Sequence, residues 1–301
     1  MLIEAFAKVN LTLNILGTRP DGYHELETVM QAIELHDDVF VDVERGEGVG
    51  FAIELDPGRE DLPADRGNLA WKAAELFINE FEPGFSGIVR IRIVKRIPAA
   101  AGLAGGSADG AAVLCGLARI YGIEPYAGAF FAGAAPGAGA LPGTLRLYAL
   151  AAKLGADVPF CLAAQNGCPA ALCTGTGTDM RPVPPVRAQI ALRVPSGAAL
   201  STAAVYGGLR ASDCGPRRPA GAFISDAPLP EKAAAMGNDL LGPASRLCPQ
   251  ITETIAALGR GSRGIKPLYA GLSGSGPSCF AVYAPDADLS ASDADIYKTI
   301  T

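Results

Sequence analysis

From Ala7 the chain alternates, with Val9, Leu11, Leu13 and Ile15 on one side and Lys8, Asn10, Thr12 and Asn14 on the other. A period of two predicts a strand with one buried face and sets Lys8 beside Asn10 on the opposite face. Pro20-Asp21-Gly22 reads as a turn, and two strand-like runs follow at 26–35 and 38–43. Leu69, Ala73, Leu76, Phe77 and Phe81 recur at helical spacing and predict a helix over 69–81. Val89, Ile91 and Ile93 alternate with Arg90 and Arg92 in a further strand. A loop of small residues at 98–106 then leads into a helix predicted from Ser107 to Tyr121 and closed by Gly122.

The stretch 125–145 carries no charge, three prolines and five glycines. Its alanine and glycine content is too weakly apolar for a membrane span, so it reads as a surface insertion. Helical spacing resumes over 144–154 and stops at Gly155. Beyond Pro182-Val183-Pro184-Pro185 the composition shifts, with strands expected at 189–194 and 278–283 and a helix at 249–258. A domain boundary is therefore expected near residue 185, giving domains 1–185 and 186–301.

Composition narrows the function. Of 301 residues 49% are hydrophobic and 19% charged, enough to fill a core, and a net charge of −6 supplies no global basic field for a nucleic acid or an anionic membrane. Two histidines, His24 and His36, leave little for a histidine-built zinc site or a Ser-His-Asp hydrolase. Seven cysteines without a C-x-x-C pair argue against a disulfide framework and predict buried free thiols. The first residues show neither a basic signal region nor an Arg/Ser-rich presequence, so a cytoplasmic location is expected.

The most informative run is Pro98-Ala-Ala-Ala-Gly102-Leu103-Ala104-Gly105-Gly106-Ser107-Ala108-Asp109. Between a strand and a helix, such residues let backbone N–H groups turn toward an anion at the helix N-terminus. Ser107 reads as a good N-cap whose hydroxyl could instead serve a phosphate oxygen or a metal, and Asp109 is expected to point away from a phosphate. A plain glycine-rich turn is the competing reading. No Gly-Lys dipeptide exists for a Walker A loop, and neither G-x-G-x-x-G nor G-x-S-x-G is met. A second Gly/Ser loop, Gly271-Leu-Ser-Gly274-Ser275-Gly-Pro-Ser278, is placed to close over the first, its alternative being an ordinary turn. Asp157, just past a helix stop, is either a cap or a base; Lys95-Arg96 and Arg217-Arg218 read as solvated charge pairs.

Together the motifs Ala7-Lys8-Val9-Asn10-Leu11 with Arg19-Pro-Asp-Gly-Tyr23-His24-Glu-Leu26, Pro98–Ala112 and Gly271–Phe280 resemble the GHMP kinase superfamily. Asp21-Gly22-Tyr23-His24 is similar to the branch acting on 4-diphosphocytidyl-2-C-methyl-D-erythritol. The resemblance implies an α+β, two-domain fold, with an N-terminal ATP-binding α/β domain and a smaller, ferredoxin-like C-terminal one. It implies ATP-dependent phosphorylation of that substrate's 2-hydroxyl in non-mevalonate isoprenoid precursor biosynthesis, with ATP and Mg2+ as cofactors and no metal ligands singled out. By the same resemblance Asp157 accepts the hydroxyl proton while Lys8 holds Asp157 and stabilises the attacking oxygen. Asn68, Lys95, Pro98, Gly102, Leu103, Ala104, Gly105, Gly106 and Ser107 then serve ATP. Asn10, Tyr23, His24, Tyr206, Gly274 and Ser275 serve the substrate, with an aromatic wall for cytosine. The partner is a small molecule, with neither nucleic acid nor membrane, and a homodimer stays open. The family's final helix is expected to be missing from the short acidic end at 285–301. Alternatives are another GHMP kinase of a small alcohol, which Tyr23-His24 and Tyr206 disfavour, and a catalytically silent binder of the same fold, which Lys8 and Asp157 disfavour.

Overall fold

The computed structural model describes residues 1–48, 50–125, 142–262, 264–290 and 292–301, so most of the predicted insertion lies outside the described residues. In chain order the strands are β1 (Leu2–Thr18), β2 (His24–Arg45), β3 (Phe51–Asp56), β4 (Gly87–Val94), β5 (Ala170–Gly175), β6 (Asp179–Pro182), β7 (Gln189–Arg193), β8 (Gly237–Asn238), β9 (Tyr269–Leu272), β10 (Cys279–Tyr283) and β11 (Asp295–Lys298). The helices are α1 (Leu69–Phe81), α2 (Gly105–Ile120), α3 (Pro142–Leu154), α4 (Val158–Ala164), α5 (Thr202–Gly207), α6 (Gly221–Ile224), α7 (Leu229–Ala234), α8 (Leu241–Leu247) and α9 (Gln250–Arg260). No helix among the described residues is long and apolar enough to cross a membrane. Where two strand runs were expected at 26–35 and 38–43, β2 is continuous. Asp37 stays inside it because its carboxylate accepts the backbone N–H groups of Arg96 and Ile97 and the ammonium of Lys95.

The chain folds into two compact units that interleave along the sequence. The first comprises Met1–Ala7, Leu35–Pro98 and Ala104–Cys168. Here β4 pairs antiparallel with the end of β2, from Asp38↔Val94 to Arg45↔Gly87, and parallel with β3. Helix α1 is amphipathic and buries Ala70, Ala73, Ala74, Phe77 and Ile78. Helix α2 is buried from Ala108 through Ala118, which its small residues permit. A Cβ on Gly110 would meet Leu69 at 3.3 Å and one on Gly116 would meet Val41 at 3.1 Å, so glycine sets how closely α2 seats.

The second unit comprises Lys8–Glu34, Ala99–Leu103 and Pro169–Thr301. β1 runs parallel to β8 through Thr12↔Gly237, the first half of β2 pairs antiparallel with β5, and β5 pairs with β6. A four-stranded antiparallel sheet has the order β11-β7-β10-β9. Its core joins Ala191, Leu240, Ile251, Leu272 and Ala281 with Leu13 and Ile15 of β1. The acidic end, expected to lack the family's final helix, supplies β11 on β7. The one-sided burial expected of β1 is also corrected. Lys8, Asn10, Thr12 and Asn14 are buried as deeply as the apolar row, because each finds a polar partner within this unit.

Candidate active site

In the first unit α2 begins two residues earlier than expected. Its N-cap is Ala104 in a left-handed conformation (φ 60°), with no side-chain cap, so Ser107 lies inside the first turn rather than capping it. A non-glycine residue held there costs about 1–2 kcal/mol, strain of a kind that collects at ligand-binding turns. The first intrahelical bond runs from Ala108 N–H to the Ala104 carbonyl. The N–H groups of Gly105, Gly106 and Ser107 precede it, the usual orphan donors of a helix start. A Cβ on Gly106 would meet nothing within 4 Å, whereas one on Gly105 would strike Ile97 at 3.0 Å. The two glycines therefore do different work: Gly105 for packing, Gly106 for open space over the amides.

Behind that turn lies Lys95. Its ammonium donates to Asp37 at 2.5 Å and Asp109 at 2.7 Å, and the three side chains are 5%, 0% and 5% exposed. Lys95 is thus no solvated charge, and the Asp109 carboxylate turns inward onto Lys95. Desolvation pulls the Lys95 pKa down, but attraction to Asp109 and Asp37 outweighs it and raises it. Burial pushes Asp109 up to about 7, against the pull of Lys95 and with the help of the Asp37 charge. Asn68 caps α1, accepting from Ala70 N–H at 3.0 Å. Asp157 occupies the N-cap position of α4 without making a side-chain cap bond, so capping does not account for its carboxylate.

In the second unit the two glycine loops and the polar face of β1 meet. Lys8 Nζ donates to Asn10 Oδ1 at 2.7 Å, and Asn10 Nδ2 donates to Thr28 Oγ1 at 2.8 Å. Backbone N–H of Lys8 reaches the Leu103 carbonyl at 3.1 Å. At Gly274 (φ +54°) a Cβ would lie 3.1 Å from the Gly102 carbonyl oxygen and 3.3 Å from both Asn10 Oδ1 and Lys8 Nζ. At Gly102 (φ +77°) it would lie 2.4 Å from the Ser273 oxygen, so both positions require glycine. Ser273 Oγ donates to the Gly102 carbonyl, and Ser278 N–H to that of Ala101. Leu103 is fully buried; its side chain anchors the loop. The rings of His24 and Tyr206 stand 5.2 Å apart at 38°, while Tyr23 is 67% exposed. Ser275 and Thr202 share a hydroxyl–hydroxyl bond of 3.0 Å.

The GHMP kinases N terminal domain model matches residues 68–165 and the GHMP kinases C terminal model residues 222–293. The 4-diphosphocytidyl-2-C-methyl-D-erythritol kinase of Carboxydothermus hydrogenoformans is 35% identical over 284 residues, 94% of this chain and 88% of that protein. The chain belongs to the 4-diphosphocytidyl-2-C-methyl-D-erythritol kinase family. The enzyme of that name from Clostridium botulinum is 38% identical over 210 residues, 70% of this chain and 65% of that protein. A crystal structure of 4-(cytidine 5'-diphospho)-2C-methyl-D-erythritol kinase superposes with a TM-score of 0.73 at 32% identity, covering 99% of this chain and 98% of that one. A mevalonate kinase structure, 11% identical with a TM-score of 0.64 and covering 99% of both chains, shares the fold alone.

Membership in this kinase family gives the chain the two-domain α+β GHMP fold expected from its motifs. Several residues around the site escaped the sequence reading. Asn238 Nδ2 donates to the carbonyls of Leu272 and Gly274 and so holds the second glycine loop. Thr28 links Asn10 to the Thr12 carbonyl, and Glu27 is buried against Arg217. Arg218 bonds Asn14 and Asp239, so the arginine pair is not simply solvated. No local pattern marks these partners, since each bond joins segments far apart in sequence.

Proposed function

We propose that the chain transfers a phosphoryl group from ATP to the 2-hydroxyl of 4-diphosphocytidyl-2-C-methyl-D-erythritol, a step of non-mevalonate isoprenoid precursor biosynthesis. The observation that carries this is the buried junction of Lys8, Asn10, Gly102 and Gly274, in which residues of three separate family motifs are held together. A lysine buried without a task would be costly. Here its ammonium is oriented by Asn10, and its role is to stabilise charge on the attacking oxygen. Asp157 accepts the hydroxyl proton. A loose phosphoryl-transfer transition state asks chiefly for positioning and charge stabilisation, so a carboxylate suffices as base.

The amides of Gly105, Gly106 and Ser107 hold the ATP phosphates at the start of α2. Pro98, Gly102, Leu103 and Ala104 set the shape of that loop. Asn68 and Lys95 act on the nucleotide side through the segments they hold, the first turn of α1 and the residues after β4. His24, Tyr206 and Tyr23 form the cytosine end, while Asn10, Gly274 and Ser275 face the sugar-alcohol. Among the described residues no group of three or more His, Cys, Asp or Glu side chains could hold a metal ion. Mg2+ would be held chiefly by the ATP phosphate oxygens, since it needs only one or two protein carboxylates, and would neutralise their charge. An ATP-coupled assay with the diphosphocytidyl substrate, against methylerythritol phosphate as control, tests the reading: turnover on the cytidylylated alcohol alone is expected, and turnover on neither overturns it.

A further inference from the structure

The cluster behind the start of α2 has one positive group for two negative ones. Lys95 bridges Asp37, from β2, and Asp109, from α2, all nearly out of solvent. Asp37 is fully provided for, with its Oδ1 accepting the Arg96 and Ile97 N–H groups and its Oδ2 taking Lys95. Asp109 is not: its Oδ2 takes Lys95, but its buried Oδ1 has no hydrogen-bond partner. An orphaned carboxylate oxygen in a cluster of net negative charge is a place for a proton. The groups facing Asp109 are Lys95 and Asp37. Three helices pack on α2: α1 places uncharged Leu69 against Gly110, Gln165 just after α4 donates its amide to the Ala108 carbonyl, and α3 buries Tyr148, whose titratable neighbours are Cys168 and Cys115.

Asp109 also lies one helical turn from Gly105, about 6 Å along the axis at 1.5 Å per residue. Lys95 Nζ comes within 3.5 Å of where a Gly105 Cβ would stand, which ties the cluster to the turn proposed to hold phosphate. We propose that Asp109 is a positioning residue for the nucleotide, and that polyphosphate bound at the amides of Gly105–Ser107 draws a proton onto its unpartnered oxygen. This inference rests on the nucleotide reading of that loop. Phosphate charge disfavours the ionised carboxylate behind it, and the neutral form leaves the Lys95 charge less compensated and so more favourable to the phosphates. The raised Asp109 pKa puts the exchange near neutrality. No covalent change is involved, and the proton comes from solvent.

Titration calorimetry of MgATP into the full chain, without acceptor, in two buffers of different ionisation enthalpy reads proton uptake directly. A fraction of a proton per site is expected, largest near neutral pH. The MgATP Kd is expected to rise with pH by at most about tenfold per unit. Asp109→Asn should still bind MgATP but lose both the uptake and the pH dependence, an effect a merely structural aspartate would not produce. His36→Gln, a control for the nearby imidazole, should keep them. Should Asp109→Asn not fold, the pH series on wild type and His36→Gln decides. Uptake present in both supports the proposal; binding without uptake at any pH, or equal uptake in folded Asp109→Asn, overturns it. Absence of MgATP binding at every pH overturns the nucleotide reading of the loop and this inference with it.

Discussion

Gly106→Val separates ligand space from packing space at the start of α2. A Cβ there would meet no atom of another segment within 4 Å. Replacing a helical glycine gains about 1 kcal/mol on the alanine scale and valine gives back about 0.6, so stability should change by less than about 0.5 kcal/mol. The Tm of a chain this size should then move by no more than about 2 °C. The branched side chain would instead fill the space over the amides of Gly105, Gly106 and Ser107. Losing two charge-assisted hydrogen bonds at about 1.5–3 kcal/mol each predicts ATP binding at least about 100-fold weaker. Calorimetry for MgATP and a thermal melt on the same preparation read the two effects separately. An unchanged Kd with an unchanged Tm would refute the placement of phosphate at this turn. Gly105→Val is a poorer test, because its Cβ would press on Ile97 at 3.0 Å and alter the protein before any ligand arrives.

Asp157→Asn should keep ATP affinity and lose about 100- to 10,000-fold in kcat, as steady-state kinetics beside calorimetry would read; near-normal turnover removes Asp157 as the base. Gly102→Ala should cost about 3 kcal/mol or more in urea unfolding, since its Cβ would lie 2.4 Å from the Ser273 oxygen at a left-handed φ; wild-type stability would separate the two glycine loops. The Arg246 guanidinium, with the Arg210 N–H, holds Asp213 down to about 2. Because its folded pKa is depressed, the stability it contributes is present above the unfolded value near 3.8 and is lost as pH falls through about 2. Asp213→Asn should therefore lower the Tm at neutral pH and converge with wild type near pH 2, and parallel pH–Tm curves would contradict this.

The periodic elements were legible because one residue type at one spacing decides each. Leu69, Phe77 and Phe81 mark α1 with its observed ends, and the alternation from Val9 to Ile15 marks β1. Errors came where a distant partner overrode local preference. Asp37 reads as a break between strands, yet backbone amides from 96 and 97 keep it inside β2. Ser107 is a good cap by type, yet Ala104 takes the left-handed position and starts the helix earlier. The boundary near 185 is a cut along the sequence, whereas the compact units interleave, with residues 8–34 and 99–103 grouped with 169–301.

Residue order alone determined the chemistry on offer: two side-chain-poor loops, a lysine and an asparagine two apart on one strand, and a carboxylate after a helix stop. Those features are local, so composition and spacing carry them. The tertiary fold alone decided that the polar row of β1 is buried, that Gly102 and Gly274 must lack side chains, and that Lys95 faces two carboxylates. Burial and charge pairing depend on which remote segment arrives at a given side chain, and no window of sequence contains that information.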